Sequence, residues 1–370
     1  MKRLTVFLDG TWQKLDQPDP TNIAKLAQSV AHTDSKGIEQ IVYYDRGVGA
    51  DSLTHKAQRR MLSGITGEGL EDALMNAYLF LSWNYTTGDE IYIFGFSRGA
   101  YTARSLCGLV RNAGLLHRPY AEMASEAYRH YRSKRRPDHD ESGEFRKRYS
   151  YDPVPVTYVG VFDTVGQRGI PSNFGPIAWL WNRKLQFHDL TLSSRVKSAR
   201  HACAIDELRG AFPVTPWENL DELNRERGVD PADPAAPYQQ RWFPGSHGEV
   251  GGGVGSKLAN ITLNWIAEGA RASGLEFMRD RGPLSIYTQP DYQDPFSDFV
   301  VNRGLLSLGG KKLRVLKRYK RPAKPQAADI SMMLSDAALK RWRHEMSPPY
   351  RPAALKRFAQ FLEETGGKPP

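Results

Sequence analysis

Three side chains with complementary acid–base chemistry stand in similar places along the 370-residue sequence: Ser97 in GFSRG, Asp163 in FDTVG and His247 in PGSHGEVGGG. Each comes just after a short apolar run, at a glycine-containing turn. A serine hydroxyl is a weak nucleophile by itself. An imidazole that takes its proton, held in one tautomer by a carboxylate, lets it attack a carbonyl. Residues 95–99 fit the G-x-S-x-G nucleophile elbow, a sharp strand-to-helix turn that exposes the serine. Gly95 and Gly99 are required there because side chains would collide with the crossing strand and helix. The helix that follows turns unpaired N–H groups and the positive end of its dipole toward the position of an oxyanion, so the Arg98 backbone N–H is the first candidate donor. The set predicts acyl transfer, with Ser97 as nucleophile, His247 as base and then acid, and Asp163 as orienting carboxylate. Such chemistry calls for no metal and no cofactor.

Positioning these groups takes a particular alternation of elements. Apolar runs at 4–8, 41–44, 91–94 and 156–162, and the segment 239–243, read as strands. Helical spacing marks 23–30, 64–83, 101–112, 196–204 and 261–272. This order predicts an α/β fold, doubly wound, with a mainly parallel sheet, helices on both faces and ligands beyond the carboxyl ends of the strands. Asp9, Asp45 and Ser97 all fall at that edge. The turn Asp9-Gly10-Thr11-Trp12 would supply a second oxyanion donor, from Gly10 or Thr11, with Asp9 in support. Residues 119–149 are charged and read as peripheral helices. Residues 176–190 are rich in Trp and Leu; Trp179, Leu180, Trp181 and Phe187, with Trp12, form a candidate acyl pocket or lid, and a buried core segment explains them equally well. His188, beside Phe187, reads as structural. Asp206, Glu207 and Arg209 suggest an ion pair near the site, and 216–237 a polar surface excursion. The expected organisation is a catalytic unit over 1–310 with insertions at 119–149 and 171–240, and a basic appendage over 311–370 packed on it.

Composition narrows the partners. The chain carries 51 Lys and Arg against 41 Asp and Glu, a net charge of +10, concentrated in 129–148 and 311–321. Those stretches lack the interleaved aromatics of a nucleic-acid recognition motif, which argues against nucleic acid and fits peripheral contact with an anionic membrane. No apolar run approaches the roughly 18 residues that a membrane-spanning helix needs. The run at 4–8 is broken by Asp9 and reads as a strand, not as a signal peptide. Two cysteines, Cys107 and Cys203, suggest neither a disulfide framework nor a metal cluster, so a reducing, cytoplasmic setting is expected. Export by a signal-independent secretion system is compatible with it.

The chain order serine, aspartate, histidine, each after its own strand, is that of the α/β-hydrolase triad. The motifs FLDGTW, YYDRGVG, GDEIYIFGFSRGAYTAR, GVFDTVG, HACAIDELRGAF and WFPGSHGEVGGG together resemble an α/β-hydrolase family of bacteria and fungi that includes the catalytic domain of type VI secretion phospholipase effectors. The resemblance spans roughly residues 4–270 and implies a serine hydrolase of lipid esters, with Ser97, Asp163 and His247 on the triad motifs. One departure is Glu249, where the pattern leads one to expect an aspartate. Two alternatives stay open: a thioesterase, amidase or other soluble acyl hydrolase, since the same triad serves them all, and a non-catalytic module of this fold that binds through its basic surface.

Overall fold

Alternate residues of the first strand point to opposite sides and all are buried, which requires packing against both faces of the sheet. The computed structural model describes residues 1–10, 18–47, 68–133, 137–165, 191–209, 212–278, 333–344 and 349–365. Six strands, β1 (Arg3–Leu8), β2 (Gln40–Asp45), β3 (Glu90–Phe96), β4 (Tyr158–Phe162), β5 (Ala199–Ala204) and β6 (Tyr238–Phe243), form one sheet in the order β2-β1-β3-β4-β5-β6. Every pairing is parallel. The protein is therefore α/β with a parallel six-stranded sheet.

The two faces carry different side chains. Leu4, Val6, Leu8, Ile91, Ile93, Val159 and Val161 pack against helices α2 (Glu68–Asn84) and α3 (Arg98–Ala113) through Ala77, Tyr78, Leu81, Ala103 and Leu106. Phe7, Tyr92, Phe94, Tyr158 and Phe162 pack against α1 (Asn22–Ser29) and the later helix α8 (Leu258–Ala272), whose contributions include Ile23, Leu26, Leu263 and Ile266. Each fully buried large side chain contributes ~1.5–3 kcal/mol. The chain leaves β1 for β2 on one side and returns through α2 to β3 on the other, so β1 and β3 flank the point where the winding reverses. In open parallel sheets the crevice beyond the strands at that point is where ligands sit.

One element differs from expectation. Residues 199–204, expected as part of a helix, form β5, hydrogen-bonded between β4 and β6. Its sequence, ARHACA, buries alanine, histidine and cysteine side chains on both faces, with only Arg200 partly exposed, and a short run of that kind has no period to tell strand from helix. The sheet is thus continuous through the stretch expected as an insertion. The 216–237 excursion is also less peripheral than expected: it holds α6 (Leu220–Glu226), with Trp217, Leu220 and Leu223 in the core. Segment 119–149 contributes α4 (Ala124–Arg132) and α5 (Asp140–Tyr149), outside α3. Beyond β6 lie α7 (His247–Gly251) and, after α8, α9 (Asp336–Arg343) and α10 (Ala359–Thr365). Leu334, Trp342, Tyr350 and Leu355 share a core with Cys203, Ile205 and Trp242 at the β6 edge. No helix among the described residues is long and apolar enough to cross a membrane.

Candidate active site

Ser97 is the single residue between β3 and α3. Its backbone has φ +57° and ψ −118°, a region that a non-glycine residue occupies at a cost of ~1–3 kcal/mol. Neighbouring chain holds it there: its N–H donates to the Phe162 carbonyl at 3.1 Å, and its carbonyl accepts from the Val165 and Tyr101 N–H groups at 3.3 Å each. The two glycines leave no room for substitution. A Cβ on Gly95 would lie 2.5 Å from the Gly99 carbonyl oxygen and 2.6 Å from Ala100 Cα, and one on Gly99 would lie 2.0 Å from the Leu8 carbonyl oxygen. The strained turn therefore brings β1, β3 and α3 into direct backbone contact. The Ser97 side chain makes no capping hydrogen bond to its own helix. Burial lowers the Arg98 guanidinium to about 10.

Asp163 sits just past β4, fully buried and again at positive φ, +37°. Its N–H donates to the Ala202 carbonyl at 2.7 Å, and its Oδ1 accepts the Ala204 N–H at 2.9 Å. Oδ2 lies 2.6 Å from Nδ1 of His247. A carboxylate can only accept, so Nδ1 carries the proton and Nε2 is left with the lone pair that a general base uses. The imidazole ring lies between Phe96, the residue before Ser97, at 4.7 Å and Phe212 at 5.0 Å between ring centroids. The Asp163–His247 pair thus stands directly beside the elbow.

His247 does not lie in an open glycine loop, as its sequence surroundings suggest, but opens the short helix α7. The turn leading into it is held by three acids. The Gly245 N–H donates to Asp206 Oδ2 at 2.7 Å, the Ser246 N–H to Glu249 Oε2 at 2.7 Å and the His247 N–H to Glu207 Oε2 at 3.2 Å. Glu249 forms a reciprocal capping box with Ser246, and its extra methylene is what lets it reach back to that amide. Burial pushes the Glu207 carboxyl up, but two-point pairing with Arg209 at 2.6 and 2.8 Å outweighs this and holds it below its ordinary value. The ion pair expected at 206–209 is this one.

Asp9 ends β1 and is also buried. Its Oδ1 accepts the Gly10 N–H at 2.7 Å, while Oδ2 accepts the hydroxyls of Thr21 at 2.5 Å and Tyr44 at 2.8 Å. Burial outweighs those three bonds and raises its pKa to about 6. Gly10 lies against the elbow, its missing side chain 3.2 Å from Phe96 Cδ1 and 3.6 Å from Ser97 Cβ, but its N–H is already given to Asp9. This corrects the expectation that Gly10 offers an open oxyanion donor. Thr11 and Trp12 lie outside the described residues, as do Trp179, Leu180, Trp181, Phe187 and His188.

Sequence reasoning missed the residues that hold this site together. Thr21 caps α1 through the Ala24 N–H at 3.1 Å while bonding Asp9, and buried Asn22 donates to the Val250 and Ala259 carbonyls at 3.1 and 2.9 Å, tying α1 to the histidine arm. Thr21 and Asn22 read only as a helix start. Phe212, which packs on the imidazole, carries no local signal.

The profile of the type VI secretion phospholipase effector Tle1-like catalytic domain matches residues 2–269. The chain belongs to this family. The resemblance carried by the GFSRGAYTAR and WFPGSHGEVGGG motifs is therefore one of kinship. An uncharacterized protein of Saccharomyces cerevisiae, YEL023C, is 32% identical over 244 residues, which are 60% of this chain and 34% of the yeast protein. Among solved structures, an uncharacterized protein from Pseudomonas aeruginosa superposes with a TM-score of 0.44 at 17% identity, covering 79% of this chain and 49% of that one. The Tle1 effector bound to the VgrG spike of the type 6 secretion system superposes with a TM-score of 0.39 at 19% identity, covering 69% and 52%. The chain spans between a third and about half of the length of these proteins.

Proposed function

We propose that this protein is a serine hydrolase of the α/β-hydrolase kind that cleaves carboxylic esters of lipids, phospholipids foremost, through Ser97, His247 and Asp163. The observation that carries the reading is the buried 2.6 Å contact between Asp163 and His247 Nδ1, whose ring meets Phe96, the residue before a serine held at φ +57°. In this mechanism His247 Nε2 takes the Ser97 proton as Oγ attacks the ester carbonyl. The imidazolium, stabilised by Asp163, returns that proton to the departing alcohol as the tetrahedral intermediate collapses to an acyl-enzyme. Water then enters by the same path in reverse, and free acid leaves. The Arg98 N–H at the start of α3 is one oxyanion donor. With Gly10 committed to Asp9, we assign the second to the Thr11 N–H.

The lipid part of the proposal rests on family membership, since the family is one of phospholipase effectors. The net charge of +10 suits an anionic membrane surface as the place where substrate is met. We assign residues 1–310 to the catalytic unit and 311–370 to an appendage. The test is labelling by a fluorophosphonate probe, which should modify the parent and spare Ser97→Ala, followed by fatty-acid release from phospholipid vesicles. Equal labelling of the two proteins refutes the nucleophile; turnover of short soluble esters with none of vesicles refutes the lipid assignment.

A further inference from the structure

The family match ends at residue 269, yet the structure runs a buried contact from far beyond it into the histidine arm. Tyr350 is buried, and its hydroxyl donates at 2.9 Å to Asp206 Oδ2, the same oxygen that accepts the Gly245 N–H at 2.7 Å. Asp206 clasps Gly245 twice, because its own N–H donates to the Gly245 carbonyl at 3.0 Å. Gly245, at φ +111°, is where the chain turns from β6 toward His247 two residues later. The tyrosine is fixed in turn: the Arg341 guanidinium lies 5.3 Å over its ring, the Arg351 guanidinium donates to its carbonyl at 2.9 Å, and Ser335 N–H donates to the Trp242 carbonyl at 2.9 Å, docking the segment on the edge strand β6. Asp206 is only partly buried, and these donors are what hold its carboxylate in place.

We propose that Tyr350 is a positioning residue for the reaction, holding Asp206 and through it the turn that aims His247 at Ser97. The inference rests on the triad reading above. It makes residues 333–344 and 349–365 a structural part of the site although the family match stops short of them. Asp206 is pushed up to about 7, with burial the main cause and the Gly245 and Tyr350 bonds only partly offsetting it, so loss of the phenol leaves an acid whose grip on Gly245 weakens further.

The experiment compares the full chain with Tyr350→Phe, Asp206→Ala and the double variant, by steady-state ester hydrolysis and by hydrogen–deuterium exchange of peptides over residues 238–251. Tyr350→Phe keeps the ring under Arg341 and removes one oxygen. The expected result is kcat lowered about tenfold with KM within about twofold, the scale of one charge-assisted hydrogen bond. Exchange in the 245–247 turn should be several-fold faster, and the double variant should exchange no faster and turn over no more slowly than Asp206→Ala alone, because both changes act through one contact. Parent-like kcat and exchange in Tyr350→Phe, or losses that simply add, would overturn the proposal. Exchange does not depend on catalysis, so a parent without Ser97-dependent activity defeats the triad reading while the clamp is still tested. Asp206→Asn retains an oxygen for both donors and should keep slow exchange; if it exchanges like Asp206→Ala, the acceptor role is refuted.

Discussion

Replacing Asp9 by asparagine should stabilise this protein, and by an amount that grows with pH in a defined window. The carboxyl is buried, and burial lifts its pKa from an ordinary 3.8 to about 6 despite hydrogen bonds from Thr21, Tyr44 and Gly10. The folded state therefore holds this proton more tightly than the unfolded chain does. Below pH 3.8 the group is neutral in both states and costs nothing. As pH rises from there to about 6 the unfolded chain ionises first, and folding loses stability until both states are charged. A rise of that size corresponds to about 3 kcal/mol at neutral pH and above, at 1.36 kcal/mol for each tenfold change, with roughly half of it present at pH 5. Asparagine keeps an oxygen for the Gly10 N–H and turns its amide toward two hydroxyls that can accept as well as donate. Urea unfolding of parent and Asp9→Asn at pH 5 and pH 8 should show the variant more stable by about 1–2 kcal/mol at pH 5 and about 2–3 kcal/mol at pH 8. Equal stabilities at both pH values, or a constant difference between them, would refute the reasoning.

Two further outcomes follow from the same geometry. Asp163→Asn should fold with a melting temperature close to the parent's but lose about 10⁴ in kcat, because an amide favours the wrong imidazole tautomer; steady-state kinetics with a soluble ester checks this, and a loss below tenfold contradicts the assigned role. Ser97→Gly should be inactive yet more stable, since relief of ~1–3 kcal/mol of backbone strain exceeds the roughly 0.5–1 kcal/mol of added chain entropy in the unfolded state; a denaturation midpoint below the parent's counts against strain at the elbow.

How much of this could be read from residues alone depends on how local each signal is. Ser97 announces itself because the strand, the two glycines and the helix are contiguous, and four of the six strands stand out as apolar runs. Asp163 and His247 can be placed because a polar residue after a buried strand falls at the sheet's carboxyl edge. β5 escapes because ARHACA has the composition of a helix, and only its neighbours β4 and β6 make it a strand. The acids that set the histidine arm escape for a related reason. Asp206 and Glu207 reach Gly245 and His247 across nearly forty residues, by virtue of strand adjacency that no local pattern encodes. Glu249 shows the reverse: what looks in sequence like an imperfect motif is, in the turn, a carboxylate of the length that closes a capping box.

The sheet order has a consequence for how the protein is made. Ser97 and Asp163 reach the site from adjacent strands, but the histidine comes from β6, which is joined to them only through β5. A growing polypeptide that has exposed its nucleophile must therefore lengthen by about 150 residues before the base exists, which at roughly 5–20 residues per second is a delay of about 8–30 s. During that interval the elbow has no partner to deprotonate it. On the proposed triad, hydrolysis cannot begin until translation is well advanced, a delay that comes from topology alone.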